Sequence, residues 1–158
     1  MEEFNVIYDR AVSIKGGPEQ LERLLPHPRS ERELSDTSDD RYLSEMTKCI
    51  FRAGFVWKII ENKWPDFERA FKRFNPKVNA MMSDEDLEQL ADDASIVRNY
   101  RKIESVRANA QFVLEVSAQH GSFGAFIADW PRDDMPGLFT LLKKRGKRLG
   151  GHTCQYFL

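Results

Sequence analysis

Apolar residues recur every three or four positions along most of this sequence, which is the spacing of one face of an α-helix. The pattern is clearest over residues 96–119 and 39–62, and the second of these segments forms either one long helix or two helices with a joint near Gly54. No segment alternates polar and apolar residues over four or more positions between turn signals, so no strand is expected. The sequence therefore predicts an all-α fold.

Shorter helices are bounded by prolines, glycines and capping residues. The helices predicted in this way cover residues 3–14, 19–25, 66–74, 123–130 and 136–146, and another begins at about residue 153. Pro65 is expected in the first turn of the helix over 66–74, where proline is favoured. Ser83 and Asp86 resemble a capping pair, which predicts the start of a further helix.

The N-terminal part of the chain differs from the rest. Residues 26–38 are polar and contain two prolines, which predicts an exposed connector. We therefore expect an N-terminal helical arm and connector over residues 1–38. A helical domain follows over residues 39–158, and the sequence stops at Leu158 within its last predicted helix. A chain of 158 residues suits one domain with an appended arm.

Composition indicates a soluble globular protein, with 41% hydrophobic residues, 31% charged residues and a mean hydropathy of −0.55. No apolar run approaches the roughly 18 residues that a membrane span needs, and the acidic start is unlike a signal peptide. Cys49 and Cys154 are too few for a disulfide framework. These features predict a cytoplasmic protein with no membrane partner.

Basic residues are concentrated near the C-terminal end of the sequence. Residues 1–50 carry 7 basic and 11 acidic residues, whereas residues 101–158 carry 9 and 5. Five of the six residues over 143–148 are basic, and Gly150-Gly151 follows. This pattern predicts two helices joined by a glycine hairpin, whose backbone amides near Thr153 suit a phosphate. The alternative is an ordinary turn between helices, with the cations on a solvated helix end.

Aromatic residues recur at helical spacing in the middle of the chain. Phe51, Phe55 and Trp57 lie around Gly54, and Tyr42 falls on the same pattern. Aromatic residues spaced in this way either pack in the core or form a slot for a planar ligand. The second interpretation rests on the attraction of an aromatic face for an electron-poor ring.

A polar segment opens the most regular of the predicted helices. It contains Arg98, Asn99 and Lys102, and Asn109-Ala110 follows within the helix. By itself the segment indicates a solvated helix start that is capped by Asn99.

Taken in order, these segments resemble the bacterial DNA-3-methyladenine glycosylase I family, a branch of the helix-hairpin-helix DNA glycosylases. The family shows a Gln-Ala-Gly-Leu-Ser-Trp type segment, a Phe-rich helix, an Ile-x-Arg-x-x-x-Lys-Ile segment and a Lys-Lys-Arg-Gly hairpin. The matching segments of this chain are Ala53-Gly54-Phe55-Val56-Trp57, Phe71–Pro76, Val78-Asn79-Ala80-Met81, Ile96–Ile103 with Asn109-Ala110, and Leu142–Gly151. The match runs from about residue 43 to the end of the sequence.

The resemblance implies hydrolysis of the N-glycosidic bond of an alkylated purine such as 3-methyladenine, the first step of base excision repair. The partner is double-stranded DNA, from which the damaged base must be flipped, and no cofactor and a monomeric state are expected. The residues assigned to a base pocket are Trp57, Phe51, Arg52, Cys49, Tyr42 and Asn99. The residues assigned to DNA binding are Gly150, Gly151, Thr153, Lys144, Lys147 and Arg148.

Several positions depart from the family pattern. Cys49 stands where the family has a base-recognising Glu, and Arg52 stands where it has a Gln. A guanidinium beside the pocket disfavours a cationic base by charge repulsion. Residues 35–42 lack the family's Tyr-His-Asp-x-Glu-Trp-Gly signature, and its Cys/His zinc site is missing, so no metal is expected. Many helix-hairpin-helix glycosylases carry a catalytic Asp on the helix beyond the hairpin, within which this sequence stops, so the catalytic residue is left unknown.

Two other functions compete with a glycosylase. A non-catalytic helix-hairpin-helix DNA-binding protein keeps the hairpin and loses the chemistry, which fits Cys49 and the missing Asp. A helical protein-interaction module uses the cations of residues 143–148 only as a soluble helix end. Steep salt dependence of binding separates both DNA-binding functions from the third.

Overall fold

The computed structural model describes residues 3–25 and 27–158, and all regular structure within them is helical. Residues 1, 2 and 26 of the expected arm and connector lie outside the described residues. The α-helices are α1 (Phe4–Lys15), α2 (Pro18–Glu22), α3 (Glu31–Asp36), α4 (Asp39–Arg52), α5 (Trp57–Ala70), α6 (Pro76–Ala80), α7 (Asp84–Asp92), α8 (Tyr100–His120), α9 (Phe123–Ala128), α10 (Met135–Arg145) and α11 (His152–Phe157). The prediction of an all-α fold is confirmed.

The described chain forms two units, residues 3–30 and residues 31–158. In the first unit, α1 ends at Gly16 in the left-handed conformation, and α2 begins with Pro18. The Tyr8 hydroxyl donates a hydrogen bond of 3.3 Å to Glu22 and joins the two helices. Among the described residues, no helix is both long enough and apolar enough to cross a membrane.

The predicted connector contains helix α3, a helix that the sequence analysis did not predict, and five of its six residues are exposed, as expected for a connector. This helix packs against α9 in the second unit. A Cβ atom at Gly124 would lie 2.4 Å from the carbonyl oxygen of Leu34, so only glycine permits this approach. The Tyr42 hydroxyl donates to the same carbonyl at 2.8 Å. The structure divides between residues 30 and 31, and the assignment of residues 39–158 as a domain stays a prediction.

Helices α4 and α8 are the central elements of the second unit. Two clusters of buried side chains lie against them, and both helices contribute to both clusters. One cluster joins them to α9, α10 and α11, and the other joins them to α5, α7 and the segment between α5 and α6. The predicted capping box of Ser83 and Asp86 is present at the start of α7.

The segment over residues 39–62 forms two helices with a joint at Gly54, which is one of the two arrangements that the sequence leaves open. The second helix runs through Pro65, so the prediction of a proline in a first turn is wrong. Buried aromatic rings hold this helix in place, because Trp64 stacks on Phe67 at 5.1 Å and on Phe74 at 5.4 Å. That packing compensates for the backbone hydrogen bond that proline cannot form.

Helix α5 ends in a left-handed turn. Lys72, Arg73 and Phe74 have φ values of 52°, 53° and 56°, which is uncommon for residues other than glycine. Arg41 donates a hydrogen bond of 3.0 Å to the carbonyl of Arg73 and is also paired with Glu68. These contacts and the burial of Phe74 keep the turn closed.

Candidate functional site

The loop between α4 and α5 presents apolar side chains to solvent. Gly54 has a φ of 75°, which lets the chain turn, and Phe55, Val56 and Trp57 follow it on the surface. Trp57 is 46% exposed. Its ring meets Tyr156 of α11 edge-on, with 5.1 Å between the ring centroids. An exposed indole is therefore held in a fixed orientation by a second aromatic ring.

A compensated group of charges lies against this indole. The Arg52 guanidinium is 5.1 Å from the centroid of the Trp57 ring. It pairs with Glu61 of α5 and lies 3.6 Å from Glu45, and Lys48 lies 3.2 Å from Glu61. Hydrogen bonding to Arg52 lowers the pKa of Glu61, so this carboxylate stays ionised at neutral pH. Two cations and two anions leave the group without net charge.

Cys49 lies one helical turn after Glu45 and is buried. Its Sγ atom is 3.6 Å from a carboxylate oxygen of Glu45. Burial, reinforced by this carboxylate, raises the pKa of the Cys49 thiol to about 12. The thiol is thus protonated at neutral pH, which makes it a weak nucleophile.

The structure corrects the assignment of Phe51 and Tyr42 to a base pocket. The Phe51 ring is enclosed among core side chains, with its centroid 4.6 Å from that of Phe67. Tyr42 is enclosed in the other cluster, where its ring lies 5.3 Å from Phe123. For these two residues the alternative interpretation as core packing applies, because enclosed rings cannot touch a ligand.

Asn99 caps helix α8, since its side-chain oxygen accepts a hydrogen bond from the Lys102 amide at 3.2 Å. The structure thus places Asn99 in the capping role that the sequence also indicates, and its role in a base pocket stays a prediction.

Lys102 is a functional candidate that the sequence-based assignment missed. Although the residue is buried, its Nζ atom donates to the carbonyls of Ala53 at 2.6 Å and Phe51 at 3.2 Å. The same atom lies 4.8 Å from the centroid of the Phe55 ring. Burial, with a smaller effect of the Arg148 charge, lowers the pKa of Lys102. The one available signal was its place in the Ile-x-Arg-x-x-x-Lys-Ile segment.

The predicted hairpin joins α10 to α11. Leu149 points into the core, whereas Lys147, Arg148 and Gly151 are exposed. Arg148 and Gly151 have φ values of 64° and 58°, so the chain turns twice through the left-handed region. Of the other predicted DNA-binding residues, Lys144 is exposed, and Gly150 and Thr153 are half-buried.

Asn109 of α8 holds the base of this hairpin. Its side-chain oxygen accepts from the Lys147 amide at 2.7 Å, and its amide donates to the Lys147 carbonyl at 3.1 Å. Asn109 is fully buried. One side chain thus satisfies both backbone groups of a hairpin residue, which fixes the start of the turn.

The surface of the second unit has two clefts, and Trp57 lines neither of them. One of about 460 Å³ includes Met81, Arg107 and Lys147, and one of about 820 Å³ includes Met81 and Lys77. Within residues 3–25 and 27–158, no three His, Cys, Asp or Glu side chains are grouped to hold a metal ion. The chemistry of the described site is that of aromatic rings and of side-chain charges.

Comparison with known proteins identifies the family. The model of the methyladenine glycosylase family matches residues 34–137. DNA-3-methyladenine glycosylase 1 of Escherichia coli is 32% identical, over 75% of this chain and 74% of its own length. The DNA-3-methyladenine glycosylase of Haemophilus influenzae is 26% identical, over 68% of each chain.

Solved structures agree with these matches. A 3-methyladenine DNA glycosylase I variant, solved in complex with 3-methyladenine, aligns with a TM-score of 0.69 and 26% identity, over 77% of this chain and 75% of its own. The enzyme from Staphylococcus aureus aligns with a TM-score of 0.67 and 26% identity, over 77% and 74%. On these grounds, and as its motifs predict, the chain belongs to the methyladenine glycosylase family.

Proposed function

We propose that this chain hydrolyses the N-glycosidic bond of an alkylated purine, such as 3-methyladenine, in double-stranded DNA. The family acts on damaged DNA bases, and the relatives named above are DNA-3-methyladenine glycosylases. The observation that carries the proposal is the exposed indole of Trp57, which Tyr156 and Arg52 hold next to a charge-compensated group.

The hairpin supplies the contact with the DNA backbone. Lys144, Lys147 and Arg148 are exposed around a turn that Asn109 fixes. Such cations neutralise phosphates without reading the base sequence, so they position the enzyme on any duplex. We therefore expect duplex affinity to fall steeply as salt concentration rises.

The base contact follows from the charge balance around Trp57. From the sequence alone, Arg52 disfavours a cationic base such as 3-methyladenine. In the folded chain Glu61 and Glu45 offset its charge, which removes most of that repulsion. Stacking of a flipped base on an aromatic side chain stabilises it by about 1–3 kcal/mol. A cationic purine therefore suits this surface.

The chemistry of the substrate places modest demands on the protein. Methylation at N3 makes adenine cationic and a good leaving group, so little acid catalysis is required. Positive charge then develops on the sugar, by analogy with other glycosidic hydrolyses, where a carboxylate or the DNA phosphates stabilise it. The main contribution of the chain is to hold the base outside the duplex.

Release of free base from a methylated duplex, followed by chromatography, tests this proposal. We expect the wild-type chain to release the base and Trp57→Ala to do so about 10- to 100-fold more slowly, from the loss of stacking. Trp130→Phe serves as the control, because this indole packs against the cluster of α9, α10 and α11, whereas Trp57 belongs to neither cluster. Equal losses of base release and of duplex affinity in Trp57→Ala would show that Trp57 is only structural.

A second function is favoured by Cys49, whose buried and protonated thiol stands where the resemblance implies a glutamate. In that case the chain is a DNA-binding protein without catalysis. The same assay separates the two functions. Salt-dependent duplex binding without any base release would support the second function and contradict the first.

We further propose that the chain acts as a monomer in the cytoplasm. Its two cysteines are buried and unpaired, which suits a reducing compartment. Sedimentation at micromolar concentration, with and without duplex, tests the monomeric state. A dimer in either condition would contradict it.

A further inference from the structure

We propose that Lys102 is a positioning residue, whose buried ammonium group holds the loop between α4 and α5 in the geometry that base binding requires. The inference rests on the proposed glycosylase function. It concerns Lys102 itself, which lies in the Ile-x-Arg-x-x-x-Lys-Ile segment but has no role assigned to it there.

The first argument comes from the end of helix α4. The last carbonyls of an α-helix have no partner within the helix and need one from elsewhere. Lys102 reaches two carbonyls at this end, those of Phe51 and Ala53, from a distant helix. A cation at a helix C-terminus is also favoured by the helix dipole. The ammonium group therefore fixes where α4 stops and where the loop begins.

The second argument comes from the aromatic side chains of the loop. The Nζ atom of Lys102 lies 4.8 Å from the ring centroid of Phe55 and 5.7 Å from that of Phe51. Phe55 is 40% exposed, so the core alone does not hold its ring. The contact with a desolvated cation provides the attraction that core packing lacks. Trp57 follows two residues later in the same chain segment.

The third argument links the loop to the hairpin. Lys102 and Asn109 lie seven residues apart in α8, which is two helical turns, so both side chains leave the same face of the helix. One holds the loop that carries Trp57, and the other holds the start of the hairpin. Their separation along the helix axis is about 10 Å. Helix α8 thus sets the spacing between the base-binding loop and the proposed phosphate contact.

The test compares Lys102→Met with a matched control, Lys63→Met. Lys63 makes the same kind of contact elsewhere, since its Nζ atom donates to the carbonyls of Ala94 at 3.0 Å and Ser95 at 2.7 Å. Both substitutions remove an ammonium group that bridges two carbonyls, so both lower stability. Only the first disturbs the loop that carries Trp57.

The readouts are single-turnover base release, affinity for undamaged duplex, and acrylamide quenching of Trp57 fluorescence, assigned by difference from Trp57→Phe. For Lys102→Met we expect base release to fall at least 30-fold, Trp57 quenching to rise, and duplex affinity to change less than threefold. Lys102→Arg restores part of the base release. Lys63→Met stays within threefold of wild type in all three measurements.

Equal effects of Lys102→Met and Lys63→Met on base release would overturn the proposal, because a purely structural role predicts them. Unchanged Trp57 quenching in Lys102→Met would overturn it as well. If the wild-type chain releases no base, the proposed function fails. Trp57 quenching and hydrogen exchange of residues 53–57, compared between Lys102→Met and the wild type, still decide whether Lys102 holds the loop. Should Lys102→Met not fold, Lys102→Gln takes its place with the same criteria.

Discussion

Replacing Asn109 by alanine separates the rigidity of the hairpin from its charge. The substitution removes the two hydrogen bonds to Lys147 and leaves every cation of the hairpin in place. A net contribution of about 0.5–1.5 kcal/mol for each bond predicts a loss of about 2 kcal/mol in unfolding free energy. For a domain of this size that corresponds to a fall in Tm of about 4–8 °C.

If the duplex binds only the folded hairpin, we expect the free energy of DNA binding to weaken by the same amount. A change of about 2 kcal/mol corresponds to roughly 30-fold in Kd. Fluorescence anisotropy with a labelled duplex that contains an abasic-site analogue measures it. The dependence of log Kd on log salt should keep its slope, since the number of phosphate contacts is unchanged.

Asn79→Ala is the control for this experiment. Asn79 is also fully buried, and its amide donates to the carbonyls of Phe71 and Asn75 at 2.8 Å each. It should lose similar stability and bind duplex like the wild type. If Asn109→Ala unfolds at a lower temperature and yet binds duplex with unchanged affinity, the hairpin is not the DNA contact.

Three further outcomes are expected. Gly151→Ala and Gly151→Asp both strain a backbone with a φ of 58°, but only Gly151→Asp adds a negative charge. At equal helix content by circular dichroism, Gly151→Asp should therefore bind duplex more weakly than Gly151→Ala. Equal duplex affinities of the two variants would exclude a phosphate near Gly151. Cys49 and Cys154 should react with a thiol reagent at pH 8 only after unfolding, because both are buried and their pKa values are raised. Burial raises the pKa of Glu68, but the hydrogen bonds from Arg41 and Ser44 and the positive charge of Arg41 together outweigh it and lower the pKa overall. Glu68 should therefore stabilise the fold above its unfolded pKa of about 4.3, and the advantage over Glu68→Gln should vanish in urea titrations as pH falls through the folded pKa.

Helix boundaries with local chemical signals could be predicted from the sequence. Gly54 and the pair Ser83–Asp86 each act on residues within one helical turn, so their patterns suffice. Pro65 misled the prediction because aromatic packing from residues up to nine positions away outweighs the preference of proline for a first turn. Helix α3 was missed because its backbone is held by the distant Gly124, which no local pattern reveals.

The same distinction explains the candidate site. Arg52 and Trp57 belong to one short motif, and the structure brings them together as a motif of this kind suggests. The partners that decide their chemistry come from elsewhere in the chain. Glu61 belongs to the next helix, and Lys102 lies 51 residues from the carbonyl of Phe51. Sequence spacing indicates which face of a helix a residue occupies, but not which distant side chain meets it.

The sharing of α4 and α8 between the two buried clusters bears on any attempt to divide this protein. If one cluster loses its packing, α4 and α8 are displaced, and side chains of the other cluster become exposed to solvent. Residues 31–158 should accordingly melt in a single transition, whichever side is weakened first. A fragment that carries only the hairpin, or only the loop between α4 and α5, would therefore lack half of each buried cluster and should not fold on its own.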